Sequence, residues 1–166
     1  MMRQLRLVTL CAALALFALA TTAALANRQT VRDDRAETKA LKKNGRLDII
    51  RATAGHQGEL LKHVVTMRRR VDPDRPKERP LIGLNVRSGP HSDPEFLVFG
   101  ADVFKLRAGK DPKRVGGAEL SARGRHWAYL FDPAQIDLKR YGWAAIATRG
   151  NTFDVAPAGR YKNHRA

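Results

Sequence analysis

Cysteine is nearly missing from these 166 residues: there is one, Cys11. A lone thiol closes no intrachain disulfide, so the chain is not a disulfide-stapled scaffold, and a cysteine-based zinc cluster is excluded. Acids are scarce, with 16 Asp and Glu against 31 Lys and Arg, a formal net charge of +15. Helical periodicity is scarce as well. No gap between the strand-like segments is filled by a helical pattern of ten or more residues, which argues against an α/β fold. No Gly-x-Ser-x-Gly elbow and no phosphate-binding glycine loop occurs; Gly116-Gly117 stands alone with no helix after it. There is no internal repeat, and 166 residues leave room for one domain and one core. A multidomain enzyme and a polytopic membrane protein are thereby excluded.

The apolar residues are unevenly placed. Residues 1 to 26 hold 20 of them and no acid. Arg3 and Arg6 precede an apolar run from Leu7 to Ala20, and Ala24-Leu25-Ala26 supplies the small-x-small pattern that a signal peptidase accepts. This reads as a cleaved secretory signal, with Asn27 as the new N-terminus. The alternative is a retained anchor, since Leu7 to Ala26 is long enough to span a bilayer; its alanine-rich composition inserts weakly and favours cleavage. Cys11 follows Leu10 and lies too close to Arg6 for a lipid-attachment signal, so the mature chain carries no cysteine. Residues 27 to 166 retain 29 basic and 16 acidic side chains, a net charge of +13.

Asn27 to Arg46 is polar and charge-dense, with Val31 and Leu41 as its large apolar residues, and reads as a basic flexible arm. From Leu47 the texture changes to short β-rich segments separated by Gly, Pro, Asp and Ser. Leu47 to Ala54 is the first strand expected. Leu61, Val65, Met67 and Val71 then alternate with Lys62, Thr66, Arg68 and Arg70, a half-buried strand with a basic outer side. Leu81 to Val86 follows, and Phe96 to Phe99 is a continuous apolar run of the kind covered on both faces. Val103 to Leu106, Ala118 to Ala122, Trp127 to Phe131 and Tyr141 to Thr148 complete the strands. Ala108 to Gly117 reads as a loop, and residues 162 to 166 as a basic tail. Asp132-Pro133 offers an N-cap followed by proline at the first helical position, hence one helical turn through Ile136. Seven to nine short strands with almost no helix predict an antiparallel β-sandwich of the jelly-roll kind over residues 47 to 161.

Five stretches carry a family likeness. Asp48-Ile49-Ile50-Arg51-Ala52 reads as an opening strand and Pro94-Glu95-Phe96-Leu97-Val98 as a later one. Trp127-Ala128-Tyr129-Leu130-Phe131-Asp132-Pro133-Ala134-Gln135-Ile136 reads as strand, proline and single helical turn. Tyr141-Gly142-Trp143-Ala144-Ala145 and Asp154-Val155-Ala156-Pro157 close the set. The pattern resembles the secreted sandwiches of the family-nine carbohydrate-binding-module and DOMON-like type. The resemblance implies a jelly-roll sandwich and suggests carbohydrate binding; function is a separate question from fold.

The chemistry-bearing residues allow two binding readings. Trp127, Tyr129 and Phe131 share one strand face, and Tyr141 and Trp143 share another. Alternating aromatics of this kind serve as sandwich core, but Tyr141 and Trp143 lie at a strand mouth and are the candidates for stacking on a sugar ring. Arg68, Arg69 and Arg70, with Arg123, Arg125 and His126, could grip phosphate or carboxylate through the guanidinium fork. Around Arg68 no aromatic is interleaved, as a nucleic-acid module would require. His56 and His63 flank a turn and would need a third ligand such as Glu59 to hold a metal, so no metal or cofactor is expected. Ser88, Ser92 and Ser121 lack a catalytic setting, and Glu95 and Asp102 stand at strand ends where acids are common. The expectation is an exported, monomeric, non-catalytic binding or envelope-associated module. Its partner is a polysaccharide or, alternatively, an acidic envelope polymer, anionic lipid or nucleic acid held without sequence specificity. A small secreted hydrolase is the third reading.

Overall fold

The computed structural model describes residues 28–33, 47–70, 72, 74, 79–86, 93–159 and 161–166. The signal segment, most of the N-terminal arm, and His91 with its serine neighbours lie outside that set. Among the described residues twelve strands form two antiparallel sheets. The first sheet has the order β1 (Gln29–Arg32), β2 (Ile49–Gln57), β3 (Leu60–Met67), β9 (His126–Phe131) and β8 (Glu119–Arg123). The second runs β11 (Thr152–Ala156), β10 (Arg140–Arg149), β4 (Leu81–Asn85), β5 (Phe96–Phe99), β6 (Asp102–Arg107) and β7 (Lys110–Gly117). β12 (Lys162–Arg165) pairs with the first four residues of β10, while β11 pairs with its second half. This is the antiparallel β-sandwich that the sequence predicts.

Alternation explains the packing. Leu61, Val65 and Met67 of β3, Trp127, Tyr129 and Phe131 of β9, and Tyr141, Trp143, Ala145 and Ala147 of β10 all point inward and are buried. They meet Ile82, Leu84, Val98 and Val103 from the second sheet in one core. Each large side chain so buried contributes about 1.5–3 kcal/mol relative to exposure. Polar ties also cross between the sheets: the Trp143 indole donates to the Gln29 side chain at 3.2 Å, and the Ile49 amide donates to the buried Asp154 carboxylate at 2.7 Å. The Tyr129 hydroxyl donates to the Pro80 carbonyl. Asp132 caps a single 3-10 turn, Pro133–Ile136, its carboxylate accepting from the Ala134 amide at 2.8 Å.

Four expectations need correction. Gln29–Arg32 is not arm but a strand paired with Arg51–Ala54; only Gln29 and Val31 turn inward, too few to register as a pattern. Ala108 to Gly117 is not a loop, since Lys110–Gly117 is an edge strand. An edge needs no second ladder, so Pro112 is tolerated and the first half of the strand, Lys110 to Lys113, stays exposed. Phe96 to Phe99 is covered on one face only: Phe96 and Val98 are buried, while Leu97 and Phe99 are half-buried on the outer side. The basic tail is strand β12, anchored by the inward ring of His164. The strand total therefore exceeds the seven to nine expected.

A cationic sheet face as the candidate binding site

The pairing registers of the first sheet align its outward residues into rows that cross all five strands. One row reads Arg32, Arg51, Thr66, His126, Arg123 from β1 to β8. At about 4.8 Å between strands, it spans roughly 19 Å. The next row reads Thr30, Thr53, Val64, Ala128, Ser121. In the third, Gly55, Lys62, Leu130 and Glu119 are aligned, and Arg28 packs against Gly55. Glu119 is the one acid in the three rows. The result is a face on which Arg32, Arg51 and Arg123 are exposed, with Thr53, Thr66 and Leu130 buried between them.

Arg32 and Arg51 stand directly opposite each other on adjacent strands. Like charges in that relation are destabilising, and both are exposed. Thr66 Oγ1 and His126 Nδ1 are 3.1 Å apart in the middle of the row, fixing the ring against the sheet. Such a face is unfavourable alone.

The arginine clusters expected from sequence do converge. The Met67 amide donates to the Arg125 carbonyl at 2.9 Å, and the Arg125 guanidinium reaches the Arg68 carbonyl at 3.3 Å. These bonds bring the segment after β3 against the β8–β9 turn, so Arg69, Arg70, Arg123 and Arg125 gather, all exposed, at one end of the cationic face. Arg68 does not join them. Its guanidinium donates to both carboxylate oxygens of buried Asp48, at 2.5 and 3.3 Å. That hydrogen bond raises its pKa further above the ordinary arginine value. Arg68 closes one end of the core and is structural.

Tyr141 and Trp143, the residues expected to stack on sugar, are 3% and 0% exposed. Both occupy the inward phase of β10, opposite His164 and Lys162 of β12, so neither offers a face to solvent. Trp127 is equally enclosed. Among the described residues the exposed large hydrophobic side chains are Val86 and Phe153.

His56 and His63 do come together across the β2–β3 hairpin, and their companion is His164 rather than Glu59. The His56 and His164 rings lie 5.3 Å apart, and His164 packs edge-on to Tyr141 at 5.6 Å. Burial, reinforced by the neighbouring histidines, lowers the pKa of His63 to about 3 and that of His164 to about 4. His63 Nε2 is 2.9 Å from the Tyr141 hydroxyl, and His56 Nε2 is 3.1 Å from the Arg165 carbonyl. Among the described residues no group of three His, Cys, Asp or Glu is arranged to hold a metal ion. Glu95 accepts the Val86 amide at 2.8 Å, Asp102 pairs with Arg114, and Gly117 donates to the Gln135 side chain at 2.7 Å. Each is engaged in holding a loop or strand end.

Sequence reading missed Arg32, Arg51 and Lys62 as members of a site. Arg32 sat in what looked like an arm. The register shift between Ile49 and Arg51 breaks the alternation that would have put Arg51 in phase with the outward residues. Compared with known proteins, the chain matches no family model, no curated protein and no solved structure.

Proposed function

We propose that this chain is a non-catalytic β-sandwich module that binds an anionic polymer across the outer face of its first sheet. The observation that carries the reading is the row of Arg32, Arg51 and Arg123, which no acid among the described residues is seen to pair, with Arg69, Arg70 and Arg125 gathered at its end. A flat, rigid surface with cations spread over roughly 19 Å suits a repeating polyanion better than a small ligand, which needs a concavity. Guanidinium forks match phosphate, sulfate and carboxylate alike. The exposed Thr30 and Ser121 hydroxyls supply neutral donors to the same groups.

The residue 1 to 26 pattern supports an exported protein, which directs the reading toward acidic polymers of the cell envelope. A neutral-glycan module of the kind suggested by the resemblance would need exposed aromatic platforms, and the two residues proposed for that part are core. The test is a titration of the purified protein with heparin, duplex DNA, teichoic acid and a neutral glucan at several salt concentrations. About five phosphate contacts predict log K for DNA falling with log salt at a slope of about −4 to −5. Arg51→Glu with Arg123→Glu should abolish binding at 150 mM salt. Salt-independent binding of the neutral glucan would sink the proposal.

A further inference from the structure

A sheet ends in a strand whose outer N–H and C=O groups have no ladder, and proteins blunt such edges with charge, proline or inward-pointing charged groups. Most edges of this sandwich are blunted. β7 carries Lys110, Pro112, Lys113 and Arg114, and β12 carries Lys162 and Arg165. β11 turns Asp154 inward, and β1 ends in Arg32. β8, the outer strand of the first sheet, is the exception. Its middle residues Leu120, Ser121 and Ala122 include no charge and no proline, and among the described residues no strand pairs its far side. Even Ala122, in the inward phase opposite Trp127, is exposed, so none of the described residues closes over that edge.

The charges on β8 are self-complementary. Glu119 and Arg123 stand at its two ends, both outward and both exposed. Neither joins an ion pair among the described residues. Lay a second β8 antiparallel against the first, with Ser121 on the two-fold axis. Glu119 then falls opposite Arg123 of the second copy, twice over. The same register sets half-buried Leu120 opposite Ala122, and Ser121 opposite its own counterpart. Opposite charges directly across a ladder stabilise it. This register also accounts for Glu119, the one acid in the outward rows of the first sheet, which stands on the strand where a neighbour's cation would arrive. The other open edges fail the comparison. β1 holds no acid to meet a second Arg32, β12 would set Lys162 against Arg165, Pro112 removes a donor from β7, and β11 would face Asp154 with Asp154.

From this we infer that the free edge of β8 binds a second copy of this chain, giving a two-fold dimer in which the same patch serves both partners. The two five-stranded sheets join as one of ten strands. The cationic face widens as a consequence. The row Arg32, Arg51, Thr66, His126, Arg123 continues into Glu119, Leu130, Lys62 and Gly55 of the second copy, over roughly 43 Å at about 4.8 Å between strands. Five residues from each strand make a small interface, so the dimer is a weak one that responds to protein concentration. The pairing needs no polyanion and does not rest on the polyanion reading.

The test is sedimentation velocity of the full chain over a wide concentration range, at 150 mM salt with no polyanion present. The expected result is a monomer–dimer equilibrium. Glu119→Arg and Arg123→Glu each turn two attractive pairs into two repulsive ones and should weaken the dimer about tenfold or more. The double variant, Glu119→Arg with Arg123→Glu, puts opposite charges back across the edge and should recover it. Unchanged melting temperatures report that each variant is folded. In a Cys11→Ser background, Ser121→Cys should cross-link two chains on oxidation, since the axis brings its two copies within about 5.5 Å. Ala122→Cys should not, since Leu120 faces it. On the wild-type chain, the β8 amides that β9 leaves unbonded should gain exchange protection as concentration rises, while those of β7 do not. A monomer at every concentration, a double variant as weak as the singles, or equal cross-linking at positions 121 and 122 would each overturn the inference. So would association abolished by Leu97→Gln, on the outer side of the second sheet, and untouched by the β8 variants. A dimer that binds no heparin would uphold the inference and remove the polyanion reading alone.

Discussion

His63 Nε2 and the Tyr141 hydroxyl lie 2.9 Å apart in the middle of the sandwich, one from each sheet, with both side chains buried. The contact is a neutral one. Burial lowers the pKa of His63 to about 3 and raises that of Tyr141 above the ordinary phenol range, so each group is kept uncharged. Their bond is one of several polar ties in the interior, beside those made by Asp154 and Trp143.

This arrangement makes stability depend on pH in one direction. His63 and His164 titrate near 6.5 in the unfolded chain and at about 3 and about 4 in the folded one. The unfolded state therefore takes up protons first as pH falls, and the stability present above pH 6.5 is progressively lost down to about 4 through His164 and to about 3 through His63. At about 1.36 kcal/mol per unit, the loss reaches several kcal/mol, a large part of a typical domain's stability. Urea denaturation at pH 7.5, 5.5 and 4.5 should show the midpoint falling steadily. A His63→Phe, Tyr141→Phe double variant replaces the polar pair with a stacked apolar one and should flatten that slope; an unchanged slope would remove His63 as its cause.

Arg32 facing Arg51 yields a prediction in which stability and binding move oppositely. Replacing Arg51 with Thr removes a like-charge pair and installs a good strand former, so low-salt stability should rise by about 0.2–1 kcal/mol. The melting temperature should rise by about 1–4 °C, and the difference should shrink at 0.5 M salt as screening takes effect. The same variant should bind heparin several-fold more weakly. Saturating polyanion should stabilise wild type more than the variant, because the ligand binds only the folded state. A variant both less stable and unchanged in binding would mean the pair is inert.

The sandwich was legible because burial imposes a period of two, which Trp127, Tyr129 and Phe131 keep without interruption and Leu61, Val65 and Met67 keep with His63 in the place between the first two. The capped turn at Asp132-Pro133 was legible for a chemical reason, since proline and an acceptor side chain have few other uses in that order. What escaped was whatever lies on an edge. Lys110–Gly117 and Gln29–Arg32 pair on one side only, bury little and leave no pattern. The cationic row escaped because register is a property of two strands, and Arg32, Arg51 and Arg123 are scattered over 92 positions of sequence. The three-histidine cluster was half visible: the hairpin announced His56 and His63, but His164 arrives from the far end of the chain.

Trp143 distinguishes core from platform. It is fully enclosed, packs 5.2 Å from the His63 ring and donates to Gln29. Trp143→Ala should cost about 3–5 kcal/mol through the cavity it opens, seen as a large drop in urea midpoint. Polyanion affinity measured well below the melting temperature should stay within about twofold of wild type. Lost binding with unchanged stability would return Trp143 to the surface role that its exposure argues against.

Arg68 and Arg69 are sequence neighbours with opposite parts, and their alanine variants should separate cleanly. Asp48 is 1% exposed and relies on the Arg68 guanidinium, which is itself 29% open to water. Arg68→Ala strands a buried carboxylate; breaking a fully buried pair costs about 3–5 kcal/mol, and the partial solvent access of Arg68 lowers the expected cost to about 2–3 kcal/mol. Adding Asp48→Asn to that variant should recover part of the loss, since the amide needs no counter-charge. Arg69 is exposed beside Arg125, so Arg69→Ala should leave stability within about 0.5 kcal/mol while lowering heparin affinity and reducing the salt slope for DNA by about one. Thermal melts and salt-dependent titrations of the three variants check both halves; a salt slope reduced by Arg68→Ala but not by Arg69→Ala would exchange the two roles.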